Sequence, residues 1–130
     1  MTVSPLVRGL TAARLEIAQA SWFSKHLRDK EFRRKLALSK AGMTLPRVDR
    51  QARRPGQIWA VSMVKDEADI VGATIAHLLD QGVDHVLVAD NRSSDGTREV
   101  LDSLAARDGR IHVAYDDEPA YFQSEKMTLL

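Results

Sequence analysis

The sequence predicts an α/β fold, a parallel sheet of βαβαβ order preceded by a basic α-helical extension. Three observations predict it. Short apolar runs, "QIWAVSMV", "DHVLVAD" and "RIHVAY", alternate with longer helix-forming stretches, which is the pattern of strand–helix–strand crossovers. Each run is followed by acidic or amide residues suited to turns. The charge is divided: residues 1–55 hold 13 Lys/Arg against 4 Asp/Glu, and residues 56–130 hold 6 against 14, the pattern of two segments with different jobs.

Residues 11–41 read as helix, rich in Ala, Leu, Lys, Arg and Glu and free of proline. Leu15, Ala18, Trp22 and His26 share one face, Phe32 and Leu36 continue the stripe, and basic side chains fill much of the rest. Gly42 and Pro46 end this helix, and "TLPRVDRQARRPGQ" reads as a linker. "QIWAVSMV" then suits a strand buried on both faces. "KDEADIVGATIAHLLDQG" follows as a helix, with Asp66, Glu67 and Asp69 in its first turn, where negative charge is favoured, and Gly82 at its end. "DHVLVAD" is the second strand, and "SDGTREVLDSLAARDG" a helix capped by Ser94 or Asp95 and closed by Gly109. "RIHVAY" is the third strand.

A chain of 130 residues holds one domain with a real core, and 44% apolar with 28% charged residues is a soluble composition. The absence of cysteine excludes disulfides and thiolate metal sites. No apolar run approaches the roughly 18 residues that span a bilayer, and the N-terminus lacks the core of a secretory signal. These features point to a cytoplasmic protein.

In parallel sheets ligands sit at the carboxyl ends of the strands. Those ends carry Lys65-Asp66-Glu67, Asp90-Asn91 and Asp116-Asp117-Glu118. "DNRSSDGT" is also ordinary turn and cap chemistry, and that reading stays open here. An EF-hand counted from Asn91 fails because a strand precedes the loop and Arg98 stands at an apolar position. A phosphoacceptor arrangement of Asp66, Glu67 and Asp90 fails because only one βα unit separates them.

"VSMVKDEADIV", "GVDHVLVADNRSSDGTREVL" and "IHVAYDDEPAYFQSEKM" together resemble the opening half of a family 2-type glycosyltransferase. The resemblance implies a partial Rossmann-like GT-A fold. Residues 1–54 would then be the basic helical extension and linker, and residues 55–130 the nucleotide-sugar-binding half of the domain. Such proteins move a sugar from a nucleotide-diphosphate donor, UDP-sugar being the expected one, to an acceptor hydroxyl. Position by position, the donor nucleotide falls to Ser62, Val64, Lys65, Asp66 and Glu67 at the first strand end and to Asp90 and Asn91 at the second. Asn91 stands where many members have an acid, which leaves the donor base open. Ser94 to Thr97 would start the helix, with Gly96 giving a close approach.

The resemblance also implies Mg²⁺ or Mn²⁺ held by Asp-x-Asp, and a carboxylate general base. The chain has no Asp-x-Asp, the nearest imitation being Asp116-Asp117-Glu118, and no base in a matching position. Little catalysis is therefore expected from these 130 residues by themselves, which read as a fragment, and an uncovered sheet edge would favour poor solubility. A non-catalytic nucleotide-binding or membrane-associated module is the competing reading. Residues 11–41, with Trp22 and Phe23 among basic residues, suit peripheral contact with the inner face of a membrane, near a lipid or polysaccharide acceptor. They also suit a plain accessory helix, and no motif supports nucleic-acid binding. His26, His77, His85 and His112 show no metal-ligand spacing and read as structural.

Overall fold

The computed structural model describes Lys25 and residues 28–48 and 53–130. The chain divides into two compact units, residues 1–35 and 36–130. Helix α1 spans Lys30–Gly42. At its start Asp29 Oδ1 accepts from the Glu31 N–H at 2.8 Å, and Glu31 and Lys35 pair one turn apart at 3.5 Å. The expected helix begins earlier in sequence, and its Leu15, Ala18, Trp22, Phe23 and His26 lie outside the described residues.

Six further elements follow the two-residue strand β1 (Met43–Thr44): β2 (Trp59–Val64), α2 (Val71–Asp80), β3 (His85–Asp90), α3 (Thr97–Arg107), β4 (Ile111–Asp116) and α4 (Gln123–Leu129). The sheet order is β1-β4-β3-β2. β2, β3 and β4 are mutually parallel, with Val64 opposite Asp90 and Asp90 opposite Tyr115. The α/β class and the βαβαβ order are as the sequence predicts. β1 adds an antiparallel strand where the expected helix gives way to the expected linker, pairing Met43 with Asp116.

Strand alternation divides the core into two layers. On one face Val71 and Ile75 of α2 and Leu101 of α3 pack with Val64, Val86, Val88 and Ile111. On the other, Leu129 and Leu130, at the end of α4, pack with Met63 against Met43, Ala89 and Ala114. β3 is covered on both faces over five consecutive residues, 86–90. β2 is not, contrary to the sequence reading. It pairs only with β3 among the described residues, so Val61 is 38% exposed and its neighbours are half-buried. An apolar run does not distinguish a central strand from an edge one.

Gly42 closes α1, as expected, for a steric reason. A Cβ there would lie 2.8 Å from Glu118 Cβ and 2.9 Å from Glu118 N, while the Gly42 carbonyl accepts from Asp117 N at 2.8 Å. Gly82, past the end of α2, has φ +91°, a left-handed conformation that glycine adopts without strain.

At the amino ends of β2, β3 and β4, Trp59, His85 and His112 form a stack. The Trp59 and His85 rings lie 4.2 Å apart, and His85 Nδ1 is 3.2 Å from His112 Nε2. The Arg53 guanidinium sits over Trp59 at 5.1 Å. The sequence spacing hid this pair, because adjacency across strands is a property of register. Burial, then the nearby His85, hold the His112 pKa below its ordinary value. A depressed histidine pKa means that the unfolded chain takes up the proton first. Its contribution is thus complete above about pH 6.5 and is lost as pH falls through the folded value. The thermal stability of the wild type should therefore fall from pH 6.5 downward, by at most about 1.4 kcal/mol per unit for one proton. His112→Phe should flatten that slope, and equal slopes in the two proteins would remove His112 as its cause.

Candidate functional site

The carboxyl tips of β2, β3 and β4 gather at one edge, and the loops there are tied to each other. Asp66 N–H donates to Ser93 Oγ at 2.9 Å, Glu67 N–H to Thr97 Oγ1 at 2.8 Å, and Ala68 N–H to Asp95 Oδ2 at 3.0 Å. In return Asp66 Oδ1 accepts from Ser94 N–H at 2.7 Å. Three consecutive backbone donors are thus satisfied by side chains from the next crossover, 27 to 30 residues away. Ser93, Ser94, Asp95 and Thr97 are a brace between two loops.

This brace corrects two local readings. Asp66, Glu67 and Asp69 do not occupy the first turn of α2, which begins at Val71 with no acid in that turn. Their segment is held by backbone N–H groups donating to side-chain oxygens, and the Glu67 carbonyl then accepts from Ile70 N and Val71 N to start the helix. At α3 the cap position belongs to Gly96, and Asp95 accepts one residue earlier, from Thr97 N–H at 3.0 Å. Gly96 is required by its φ of +96°; a Cβ there would meet nothing closer than 4.0 Å, so no close approach is involved. The Thr97 hydroxyl and the Ala68 amide hold the Asp95 carboxyl below its usual pKa. Asp66 and Arg92 adopt left-handed backbone, φ 53° and 52°, a conformation the short Asp side chain tolerates and Arg rarely adopts.

Asp90 and Asn91 are neighbours that face opposite sides of the sheet. Asp90, fully buried, turns toward α3, where Arg98 Nε donates to Oδ2 at 3.0 Å and Ser93 N–H to Oδ1 at 3.3 Å. Arg98 lies over the Tyr115 ring at 4.5 Å, and its Nη2 is buried without a hydrogen bond, 3.8 Å from Asp117. The Tyr115 hydroxyl donates to Asp102, which pushes its pKa up to about 12. Asn91 turns the other way, and its amide donates to Asp116 Oδ2.

On the Asn91 side lies a cavity of about 200 Å³ lined by Met63, Val64, Lys65, Glu67, Asn91, Tyr121 and Gln123. Of the residues singled out in the sequence, it brings together Val64, Lys65, Glu67 and Asn91. Ser62, Asp66 and Asp90 do not line it. Tyr121 and Gln123 are additions, invisible to a motif reading because they belong to the turn into α4; the Tyr121 hydroxyl donates to Gln123 at 2.8 Å. A larger open cleft of about 420 Å³ lies along Arg92, Ser93, Ser94, Gly96, Arg98, Glu99 and Asp117. Its two arginines are offset by Glu99 and Asp117, and Arg98 is already paired with Asp90.

Residues 59–122 match the sequence model of Glycosyl transferase family 2. This segment belongs to that family. No curated protein and no solved structure matches the chain. The family 2 segment runs from the first residue of β2 to the residue before α4, and so contains the braced loops and most of the cavity wall.

The divalent metal implied by the resemblance does not fit the acids at hand. Asp116 Oδ2 is 2.6 Å from Lys126 Nζ and also accepts from Asn91, while Oδ1 accepts from Glu118 N–H at 3.2 Å. No group of three His, Cys, Asp or Glu side chains suited to a metal occurs among the described residues. Nor is any helix among them long and apolar enough to cross a membrane.

Proposed function

We propose that this family 2 segment binds the nucleotide of a nucleotide-diphosphate-sugar donor, with uridine diphosphate as its core, for transfer of the sugar to an acceptor hydroxyl. The observation that carries this reading is the convergence of three loop segments, 63–67, 91 and 121–123, on one cavity at the carboxyl edge of a parallel sheet. At about 200 Å³ the cavity is smaller than the roughly 300–1,000 Å³ of a whole-ligand site, so it accommodates one ring of the donor.

Each wall offers matching chemistry. The Asn91 carbonyl and the Glu67 carboxylate accept from ring N–H or ribose hydroxyl groups, and Lys65 supplies a cation for phosphate. Asp90, Asp66 and Ser62 act from behind. Asp90 anchors Arg98 and the brace, Asp66 ties the brace to the first loop, and Ser62 carries the strand that presents Val64. The chain's residues hold and orient the nucleotide; deprotonation of the acceptor and neutralisation of the leaving diphosphate are not assigned to them.

Calorimetric titration with UDP tests this. Glu67→Ala and Asn91→Ala should each weaken binding about tenfold, equivalent to about 1.4 kcal/mol. Wild-type protein that fails to bind UDP, or variants that bind as it does, would overturn the reading.

A further inference from the structure

Lys126 is the largest fully buried side chain among the described residues. Lysine is almost never fully buried unless paired, and here all three ammonium hydrogens have acceptors: Asp116 at 2.6 Å, the Glu118 carbonyl at 2.8 Å and the Ala120 carbonyl at 2.7 Å. Asp116 is itself fully buried. Such a pair contributes little net stability over apolar residues of similar volume, so its value lies in what it orients.

Two cavity walls depend on it. Asp116 also accepts from the Asn91 amide. A carboxylate only accepts, so the Asn91 NH₂ must face Asp116, and the carbonyl oxygen is what Asn91 has left to offer the cavity. Meanwhile the Ala120 carbonyl, anchored by Lys126, immediately precedes Tyr121, which is 79% exposed on the cavity rim.

We propose that Lys126 is a positioning residue for a nucleobase subsite. Through Asp116 it sets the Asn91 oxygen as an acceptor, and through the turn at residues 118–120 it presents Tyr121 as a stacking surface. This rests on the nucleotide reading above and sharpens it. At one ring position, N3, uracil carries a hydrogen and cytosine a lone pair; a fixed acceptor selects uracil. Were the amide free to turn, Asn91 would serve either base.

The test compares UDP and CDP titrations of the wild type and of the double variant Asp116→Leu/Lys126→Met, which leaves no unpaired buried charge. The wild type should favour UDP by about tenfold or more, one good hydrogen bond's worth. In the double variant UDP should bind about tenfold more weakly and the preference should fall toward one. A folded double variant with unchanged affinity and preference would reduce Lys126 to a structural role while leaving the nucleotide reading intact. A wild type that binds UDP and CDP equally does the same, and one that binds neither removes both readings. If the double variant does not fold, two measurements still decide. Tyr121→Ala, at an exposed position, should weaken UDP about tenfold through lost stacking. In the wild type the Asn91 side-chain amide protons should exchange slowly with solvent. Unchanged binding by Tyr121→Ala, or fast exchange at Asn91, would overturn the proposal.

Discussion

Replacing Lys126 alone by methionine is expected to cost about 3–5 kcal/mol, because it leaves Asp116 buried with no cation beside it. A domain of this size has about 5–15 kcal/mol in total, so the variant should be marginally folded at best. With a urea dependence of about 1–3 kcal/mol per molar, the unfolding midpoint should drop by about 2 M. Asp116→Leu/Lys126→Met should recover most of the loss, since the penalty belongs to the stranded charge and not to the missing bond. A single variant within about 1 kcal/mol of wild type would show that water reaches Asp116 and that the pair is not sealed.

Thr97→Val is the second large effect. The replacement has nearly the same shape and sits at a fully buried position, yet it removes an acceptor and a donor together. The Glu67 N–H loses its partner, and Asp95 loses the hydroxyl that donates to it. A stranded backbone donor costs about 1–3 kcal/mol and a lost bond about 1 more, so about 2–4 kcal/mol is expected. Hydrogen exchange at the Glu67 amide should speed up before the sheet amides do, and UDP affinity should fall with it. Thr97→Ser, which keeps the oxygen, should be far milder. If Val is tolerated without change in either measurement, the brace does not hold the first loop.

The parts of this fold legible in the sequence are those set by neighbours along the chain. The three parallel strands, the two crossover helices and the glycine end at Gly82 all follow from periodicity and backbone freedom. What escaped was set by residues far apart. β1 is two residues long, and only pairing with β4 makes it a strand. Asp66 and Glu67 look like dipole-complementing acids until Ser93 and Thr97 are seen to hold their amides. The candidate site divides the same way. Sequence pointed to Val64, Lys65, Glu67 and Asn91, but the alternation that sends Asp90 to the other face needs strand register, and Tyr121, Gln123 and Lys126 enter only through the path of the chain after β4. The apolar run of β2 likewise says nothing about its pairing, among the described residues, with β3 alone.

The tie between residues 66–68 and 93–97 also bears on how such proteins diversify. A first loop grafted in from another source would arrive with amide hydrogens that no hydroxyl or carboxylate awaits, and a second loop moved alone would leave the same vacancy behind. Exchange between homologues should succeed only when both peptides travel together, so the pair behaves as one inherited cassette.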